Sequence, residues 1–419
     1  MVAITHCRLC QRIEFEAVLD LGWQYLTGVF PNSADSSSLP GGHLRLVRCT
    51  AKGGCGLVQL DQSFDPNSMY GENYGYRSGL NPSMVKHLRK RVQAITSNRI
   101  LRDNDLVVDI GSNDGTTLSF YPKHLTRIGI DPTSSKFAAH YPPGATAIPE
   151  FFSAESVLAV SEGQKASVIT AFSMMYDLDD PVTFVRQVGQ LLDEFGIFVC
   201  EQSYLPLMME QVAFDTICHE HIEYYGLKQV EWMLAEADLE VVDVEINDVN
   251  GGSFAVSAAR RGSMTASVRV SELREREAWL WRDAERSFLE FAISSAERAR
   301  DLRNFLKDCR ASGKTVAALG ASTKGNVILQ YARLNRDLIA EIGDVNPDKH
   351  GRVTPGTGIP IVPEKDVLAK NYDFYVVFPW HFRDFFVTSP QFSGRTLVFP
   401  LPKLEIVRAG ETTVNDSSI

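Results

Sequence analysis

Residues Val107-Val-Asp-Ile-Gly-Ser-Asn-Asp-Gly-Thr-Thr-Leu118 constrain this chain more than any other stretch. Val107, Val108 and Ile110 make a short apolar strand, and Gly111 and Gly115 then let the backbone turn sharply and approach a ligand. A second strand, Arg127-Ile-Gly-Ile130, ends on Asp131. In an open α/β sheet the ligand crevice lies outside such strand ends, where a carboxylate suits ribose hydroxyls. Dinucleotide enzymes and methyltransferases share this arrangement, so the loop itself has to decide between them. It lacks the G-x-G-x-x-G spacing of a pyrophosphate site, and Ser112-Asn-Asp114 is polar and partly acidic, which repels phosphate and attracts a sulfonium or an amino group. The expected ligand is S-adenosylmethionine, held by Asp109, Gly111, Ser112, Asn113, Asp114 and Gly115, with Asp131 on the ribose.

A chain of 419 residues with 44% hydrophobic content can bury more than one core. It has no run of the roughly 18 apolar residues that a membrane helix needs, and Met1-Val-Ala-Ile-Thr-His-Cys7 lacks the basic and apolar regions of a signal peptide. The expectation is a cytoplasmic protein with no membrane partner. A formal net charge of −10 argues against nucleic acid as a partner, although a local basic pocket can still hold one anionic metabolite. The oligomeric state is not legible.

Four of the seven cysteines fall within the first 55 residues. Cys7-x-x-Cys10 brings two thiolates to one knuckle, and Cys49 with Cys55 closes a tetrahedron across a long loop, so a structural Zn2+ is expected. Gly53, Gly54 and Gly56 give the looser second pair freedom to fold back. Cys200 and Cys309 read as core.

The chain divides into a zinc module (1–68), an alternating strand and helix unit (69–265), a helical connector (266–310), a second α/β unit (311–409) and a polar tail (410–419). In the first α/β unit the expected strands are 106–110, 127–130, 166–170, 196–200 and 239–244, a doubly wound sheet. Dense Glu and Arg with Leu, Trp and Phe at helical spacing make the connector a long amphipathic helix or helix pair. In the second unit, strands are expected at 315–319, 338–343, 374–377 and 396–399.

The reactive cluster is Asp215-Thr-Ile-Cys-His-Glu-His-Ile-Glu-Tyr-Tyr225. His219 and His221 are two residues apart, which suits one face of a strand and not the i, i+4 zinc pair of a helical His-Glu-x-x-His. A histidine beside a carboxylate is suited to remove a proton, and Glu220 or Glu223 is placed to hold the imidazole tautomer. The competing reading is a polar network that braces a loop. Tyr70-Gly-Glu-Asn-Tyr-Gly-Tyr-Arg-Ser78 precedes the cofactor unit and is placed to cover its pocket.

Taken in order, the four cysteines, Asn73-Tyr-Gly-Tyr-Arg-Ser78, Asp109-Ile-Gly-Ser-Asn-Asp-Gly115, Cys218-His-Glu-His221 and Gly320-Ala-Ser-Thr-Lys-Gly-Asn326 resemble the sugar C-methyltransferases that act on nucleotide-activated keto-deoxysugars. The resemblance spans nearly the whole chain. It implies an α/β protein with a small N-terminal zinc module, a central doubly wound class I methyltransferase domain and a C-terminal Rossmann-like domain, the nucleotide sugar lying between the last two. It also implies methylation at C3, beside a C4 ketone, with His221 as base, Glu220 orienting it, His219 nearby and Tyr76 donating to a sugar oxygen. Tyr224 or Tyr225 is expected to line the same cavity. Family members commonly carry tyrosine where this chain has Cys218 and histidine where it has Asp177, so the substrate beside Asp177 is expected to differ.

The loop Gly320–Asn326 follows a strand, and its amides with Lys324, Ser322 and Asn326 are the expected diphosphate anchors, although the spacing is not that of a Walker loop. Asp344-Val-Asn-Pro and Phe378-Pro-Trp-His381 also end strands and face the same crevice. Methylation of a hydroxyl or of another acidic carbon on a different metabolite is the alternative activity.

Overall fold

The computed structural model describes residues 2–32, 39–64 and 77–410. Tyr76 and most of the Tyr70–Ser78 segment lie outside the described residues, as does the tail beyond Gly410.

The amino-terminal module contains β1 (Val2–Ala3), β2 (Phe15–Tyr25), β3 (Gly41–Cys49), β4 (Val58–Leu60) and β5 (Gln62–Ser63). The next unit opens with α1 (Pro82–Ser97), whose start is set by Asn81: its side chain accepts from the Ser83 and Met84 amides, and Pro82 needs no donor in the first turn. There follow β6 (Leu106–Ile110), β7 (Thr126–Ile130), β8 (Ala145–Ile148), α2 (Ala154–Val160), β9 (Ala166–Phe172), α3 (Pro181–Leu191), β10 (Leu192–Ser203) and α4 (Leu205–Glu210). The unit closes with β11 (Glu223–Tyr224), α5 (Leu227–Ala235), β12 (Leu239–Asn247) and β13 (Ser253–Arg260).

Seven strands form one sheet in the order β12-β13-β10-β9-β6-β7-β8. It is parallel except for β13, which runs antiparallel to both β10 and β12. Every residue of β6 is buried, as a central strand covered on both faces requires. The sheet order reverses direction between β6 and β9, so the crevice opens beside the loop that follows β6.

The connector is a helix pair, α6 (Val268–Arg282) and α7 (Ala284–Ala311). Along α7, Phe288, Phe291, Ser295, Ala299, Leu302, Leu306 and Cys309 are buried at spacings of three and four, one apolar stripe. That stripe shares a core with both the amino-terminal module and the carboxyl-terminal unit, and α7 packs on β2.

The carboxyl-terminal unit holds β14 (Val316–Leu319), α8 (Thr323–Tyr331), β15 (Ile342–Asp344), β16 (Ile361–Pro363), α9 (Glu364–Ala369), β17 (Phe374–Val377), α10 (Arg383–Thr388), β18 (Thr396–Phe399) and β19 (Glu405–Arg408). Its sheet order is β16-β15-β14-β17-β18-β19, with only β19 antiparallel. In order of appearance, the first five parallel strands of both units are therefore arranged 3-2-1-4-5, and each glycine loop leaves strand 1 at its switch point. No described helix is long and apolar enough to cross a membrane.

The strands expected from the sequence are present, with ends shifted by a few residues. Besides the two-residue strands β1 and β5, the sequence reading missed β2, β8, β11, β13, β16 and β19. Five of these, β2, β8, β11, β16 and β19, sit at an edge of their sheet and β13 is antiparallel, so the strand and helix alternation used to find the others does not mark them.

Candidate active site

Gly111 and Gly115 adopt φ of 69° and 74°, and Asn113 between them adopts 49°, so the loop after β6 is a left-handed turn of the kind its composition favours. A Cβ at Gly111 would come within 3.1 Å of the Met174 side chain, which leaves no room for a larger residue. Asp131, at the end of β7, is buried and accepts from the Asn113 amide at 3.0 Å and from the Thr133 amide at 2.6 Å, so the strand-end acid is locked to the loop. Ser112 Oγ lies 2.7 Å from the Tyr141 hydroxyl. The other acids work inward. Asp109 was expected on the cofactor, but its carboxylate accepts from Thr170 Oγ1 at 2.5 Å and ties β6 to β9. Burial pushes it up to about 7; the Thr170 and Thr117 hydrogen bonds oppose the shift and the Asp131 charge adds to it. Asp114 accepts from the Gly79 amide and Asn113 Oδ1 from the Ser78 amide, both at 3.0 Å, fastening the segment after Tyr76 onto the loop.

The short turn Met175–Asp177 after β9 joins this loop to the histidine cluster. Met174 meets Gly111 on one side, and the Tyr176 ring packs against His221 on the other, with centroids 4.3 Å apart. His221 Nδ1 lies 3.0 Å from the Thr216 carbonyl oxygen, which can only accept, so Nδ1 carries the proton and Nε2 the lone pair. Burial, then the nearby Lys324 charge, pushes this imidazole down to about 4, against the Thr216 hydrogen bond. It is neutral at pH 7.

The other expected partners diverge from it. Residues 219–220 form a bend and 221–222 are irregular instead of a strand, so the spacing of two does not place both rings on one face. His219 is buried against Phe64 of the amino-terminal module, with centroids 4.8 Å apart and no ring nitrogen in good hydrogen-bond geometry. Neither glutamate holds the His221 tautomer, which Thr216 sets. Glu220 faces Gly28 and Thr323: a methyl group at Gly28 would collide with its Oε1, and burial raises its pKa. Glu223 accepts from the Tyr225 hydroxyl and is pushed up to about 8 by burial, which the charge of Arg8 opposes. Tyr224 was expected to line the cavity; instead it donates to the His221 carbonyl at 2.9 Å and braces the loop. Cys218 is buried, and burial with the Glu220 and Asp177 charges holds its thiol protonated. Asp177 ends the turn that carries Tyr176.

The carboxyl-terminal unit meets this cluster. Lys324, in the first turn of α8, donates to the carbonyl of Asn250 in the loop between β12 and β13, and its charge is felt by Asp215, His221 and His381. Trp380 Nε1 donates to Asp215 Oδ2 at 2.8 Å across the same boundary. Two expected anchors are occupied otherwise. Ser322 Oγ caps α8 by accepting from the Gly325 amide at 3.0 Å, and Asn326 is buried and donates to the Thr27 carbonyl at 2.7 Å. Asp344 accepts from the Ala321 amide at 2.8 Å, the counterpart of the Asp131 bond to Asn113. The sequence reading gave no role to Asp215, Thr216 or Asn250; the only signal for Asp215 was its place at the head of the cluster.

The four cysteines converge. One ligand sulfur from each of Cys7, Cys10, Cys49 and Cys55 lies within 4.8 Å of the others, and the Cys7–Cys55 and Cys10–Cys49 pairs are 3.5 Å apart. A tetrahedral zinc with Zn–S bonds of about 2.3 Å needs sulfurs about 3.8 Å apart, so the donor set and spacing fit Zn2+. Gly54 permits this: a Cβ there would lie 3.1 Å from Cys49 Sγ and 2.8 Å from the Ala51 carbonyl oxygen. The module is also sewn to the reactive cluster. β11 pairs antiparallel with β4, Glu223 opposite Gln59 and Tyr224 opposite Val58, and Gln229 donates to the Cys55 carbonyl at 2.9 Å.

This fold and site define an S-adenosylmethionine-dependent methyltransferase with a structural zinc module. Three family models match in chain order: a zinc binding domain over residues 7–70, a methyltransferase domain over 84–244 and a C-methyltransferase C-terminal domain over 248–402. The chain is 29% identical over 421 residues to the C-methyltransferase NovU of Streptomyces niveus, covering 98% of each. The three models together span most of the chain, and the similarity to NovU runs along nearly its whole length. Among solved structures, an O-methyltransferase family protein from Burkholderia thailandensis aligns over 48% of this chain and 64% of its own at 16% identity, with a TM-score of 0.36. The complex of the Haloferax volcanii Trm112 methyltransferase activator with a methyltransferase aligns over 43% of this chain and 95% of that chain, at 14% identity and a TM-score of 0.34.

Proposed function

We propose that this enzyme methylates C3 of a nucleotide-linked 4-keto-deoxysugar through an enolate, with His221 as the base. The observation that carries this is the neutral imidazole of His221, its Nδ1 satisfied by Thr216 and its Nε2 lone pair without a protein partner among the described residues, one turn away from the cofactor loop. A proton beside a ketone is acidic enough for an imidazole when the resulting oxyanion is stabilised.

Nε2 of His221 takes the C3 proton, and the electron pair of that bond moves into the enolate. Thr216 holds the ring and stabilises the imidazolium through Nδ1. S-adenosylmethionine, when bound, supplies an electrophilic methyl whose bonding pair leaves with the sulfur. Asp131 and the Gly111–Gly115 loop hold the donor, and the Met174–Tyr176 turn sets its distance from the base, so positioning is the main contribution of the protein. Lys324 supplies the positive charge for an anionic substrate group. Burial keeps the Cys218 thiol protonated, so it does not compete with His221 for the C3 proton.

On this reading residues 1–68 are the zinc module, 69–265 the cofactor unit, 266–310 the connector and 311–409 the nucleotide-sugar unit, and the nucleotide-activated substrate places the enzyme in the cytoplasm. The test is methyl transfer from labelled S-adenosylmethionine to a panel of nucleotide-linked 4-keto-deoxysugars, with the new methyl located by NMR. Methylation at C3 that is lost in His221→Asn, with both ligands still bound, is expected. A methyl on oxygen, or near-normal turnover by His221→Asn, overturns the reading.

A further inference from the structure

We infer that Asp215, fully buried where the cofactor unit meets the carboxyl-terminal unit, is a positioning residue for His221 and acts through the hydrogen bond it accepts from Trp380. The inference rests on His221 being the base. Asp215 and Thr216 are consecutive in the single turn Phe214–Thr216, which packs against α8. Trp380 pins the first of these residues at 2.8 Å, and the carbonyl of the second sets the His221 tautomer at 3.0 Å. The base is thus one peptide away from a contact made by the other unit. Trp380 follows β17, and its ring edge lies beside Gly251, next to Lys324 and His381, so the same indole reports the position of the crevice wall.

Burying a carboxylate is costly unless both oxygens find partners, and Asp215 Oδ1 makes no well-formed hydrogen bond among the described residues. The compensation is the Lys324 ammonium, whose charge opposes the upward push of burial on Asp215. Asp215 therefore joins three groups that must be mutually aligned for C3 deprotonation: the crevice wall at Trp380, the cation at Lys324 and the base at His221. An error of about 1 Å in such an alignment costs on the order of 100-fold in rate.

The experiment compares full-length wild type with Asp215→Asn, Asp215→Ala, Trp380→Phe and the Asp215→Ala/Trp380→Phe double variant. The His221 tautomer is read by 15N NMR of histidine-labelled protein without substrate, and kcat and KM are read with S-adenosylmethionine and a keto-sugar nucleotide. Wild type is expected to show the Nδ1–H form alone. Asp215→Asn, whose amide oxygen still accepts from Trp380, keeps that signal and most of the rate. Asp215→Ala and Trp380→Phe show mixed tautomers and a fall of about 10- to 100-fold in kcat, with KM for S-adenosylmethionine unchanged. The double variant is no worse than either single one. A wild-type tautomer signal in Trp380→Phe overturns the inference even where Asp215→Ala fails to fold, and so does an Asp215→Asn as damaged as Asp215→Ala. If wild type turns over no keto-sugar, the functional reading fails, and the NMR arm still decides whether Asp215 sets the imidazole.

Discussion

Nδ1 of His221 and the carbonyl oxygen of Thr216 are 3.0 Å apart, so the backbone, and not a carboxylate, holds the imidazole of this site. A carboxylate partner would raise the histidine pKa and stabilise its charged form; a neutral carbonyl does so far less, and burial prevails. The ring stays available as a base well below neutral pH.

Activity should therefore fall as pH drops through about 4, and not near the ordinary histidine value of 6.5. The sign follows from the role: a base works deprotonated, and a depressed pKa extends the deprotonated range downward. Lys324 contributes to the depression, so in Lys324→Met the acidic limb should move up toward 6.5, together with a rise in KM for the anionic substrate of roughly tenfold. The pH dependence of kcat/KM measures both. An acidic limb at the same pH in the two proteins would exclude Lys324 from the neighbourhood of the base.

Asp131→Ala should weaken S-adenosylmethionine binding by about tenfold or more, since a hydrogen bond to a charged group is worth roughly 1.5–3 kcal/mol. The variant also loses the acceptor for the Asn113 and Thr133 amides, so the loop loosens as well. Asp131→Asn, which keeps one acceptor oxygen, should be milder. Calorimetric titration compares the three proteins, and equal affinities would move the ribose away from this acid.

Removal of zinc, or Cys7→Ser, should lower the melting temperature and also depress methyl transfer. The second effect follows from β11: Glu223 and Tyr224 form a strand with the module at Gln59 and Val58, so a slack module loosens the loop that carries His221. Metal analysis should find about one zinc per chain. Folded, fully active protein without zinc would sink the idea.

Glu223→Gln should stabilise the protein at alkaline pH. The buried Glu223 keeps its proton up to about pH 8 in the folded state, whereas the unfolded chain releases it near 4.5. Folding thus retains a proton over that interval, so the stability present below 4.5 declines as pH rises through 8. A glutamine carries no such penalty. Its melting temperature relative to wild type should improve by roughly 2–4 °C more at pH 9 than at pH 5, read by calorimetry at both values.

What the sequence determined by itself was everything encoded by neighbours along the chain. Val107–Gly115 could only be a buried strand running into a tight turn, Asp131 had to end the next strand, and Cys7-x-x-Cys10 had to present two thiolates on one side. These follow from side-chain period and backbone freedom, which act over a few residues. The tertiary structure alone decided which partner each polar group took. Asp109 turned from the cofactor to Thr170, Asn326 from the substrate to Thr27, and Glu220 from His221 to Gly28. Asp215 met Trp380, 165 residues away. A buried donor or acceptor must find a partner, but the sequence does not say which of many distant groups will arrive at 3 Å, because that distance is set by the packing of three units on shared cores.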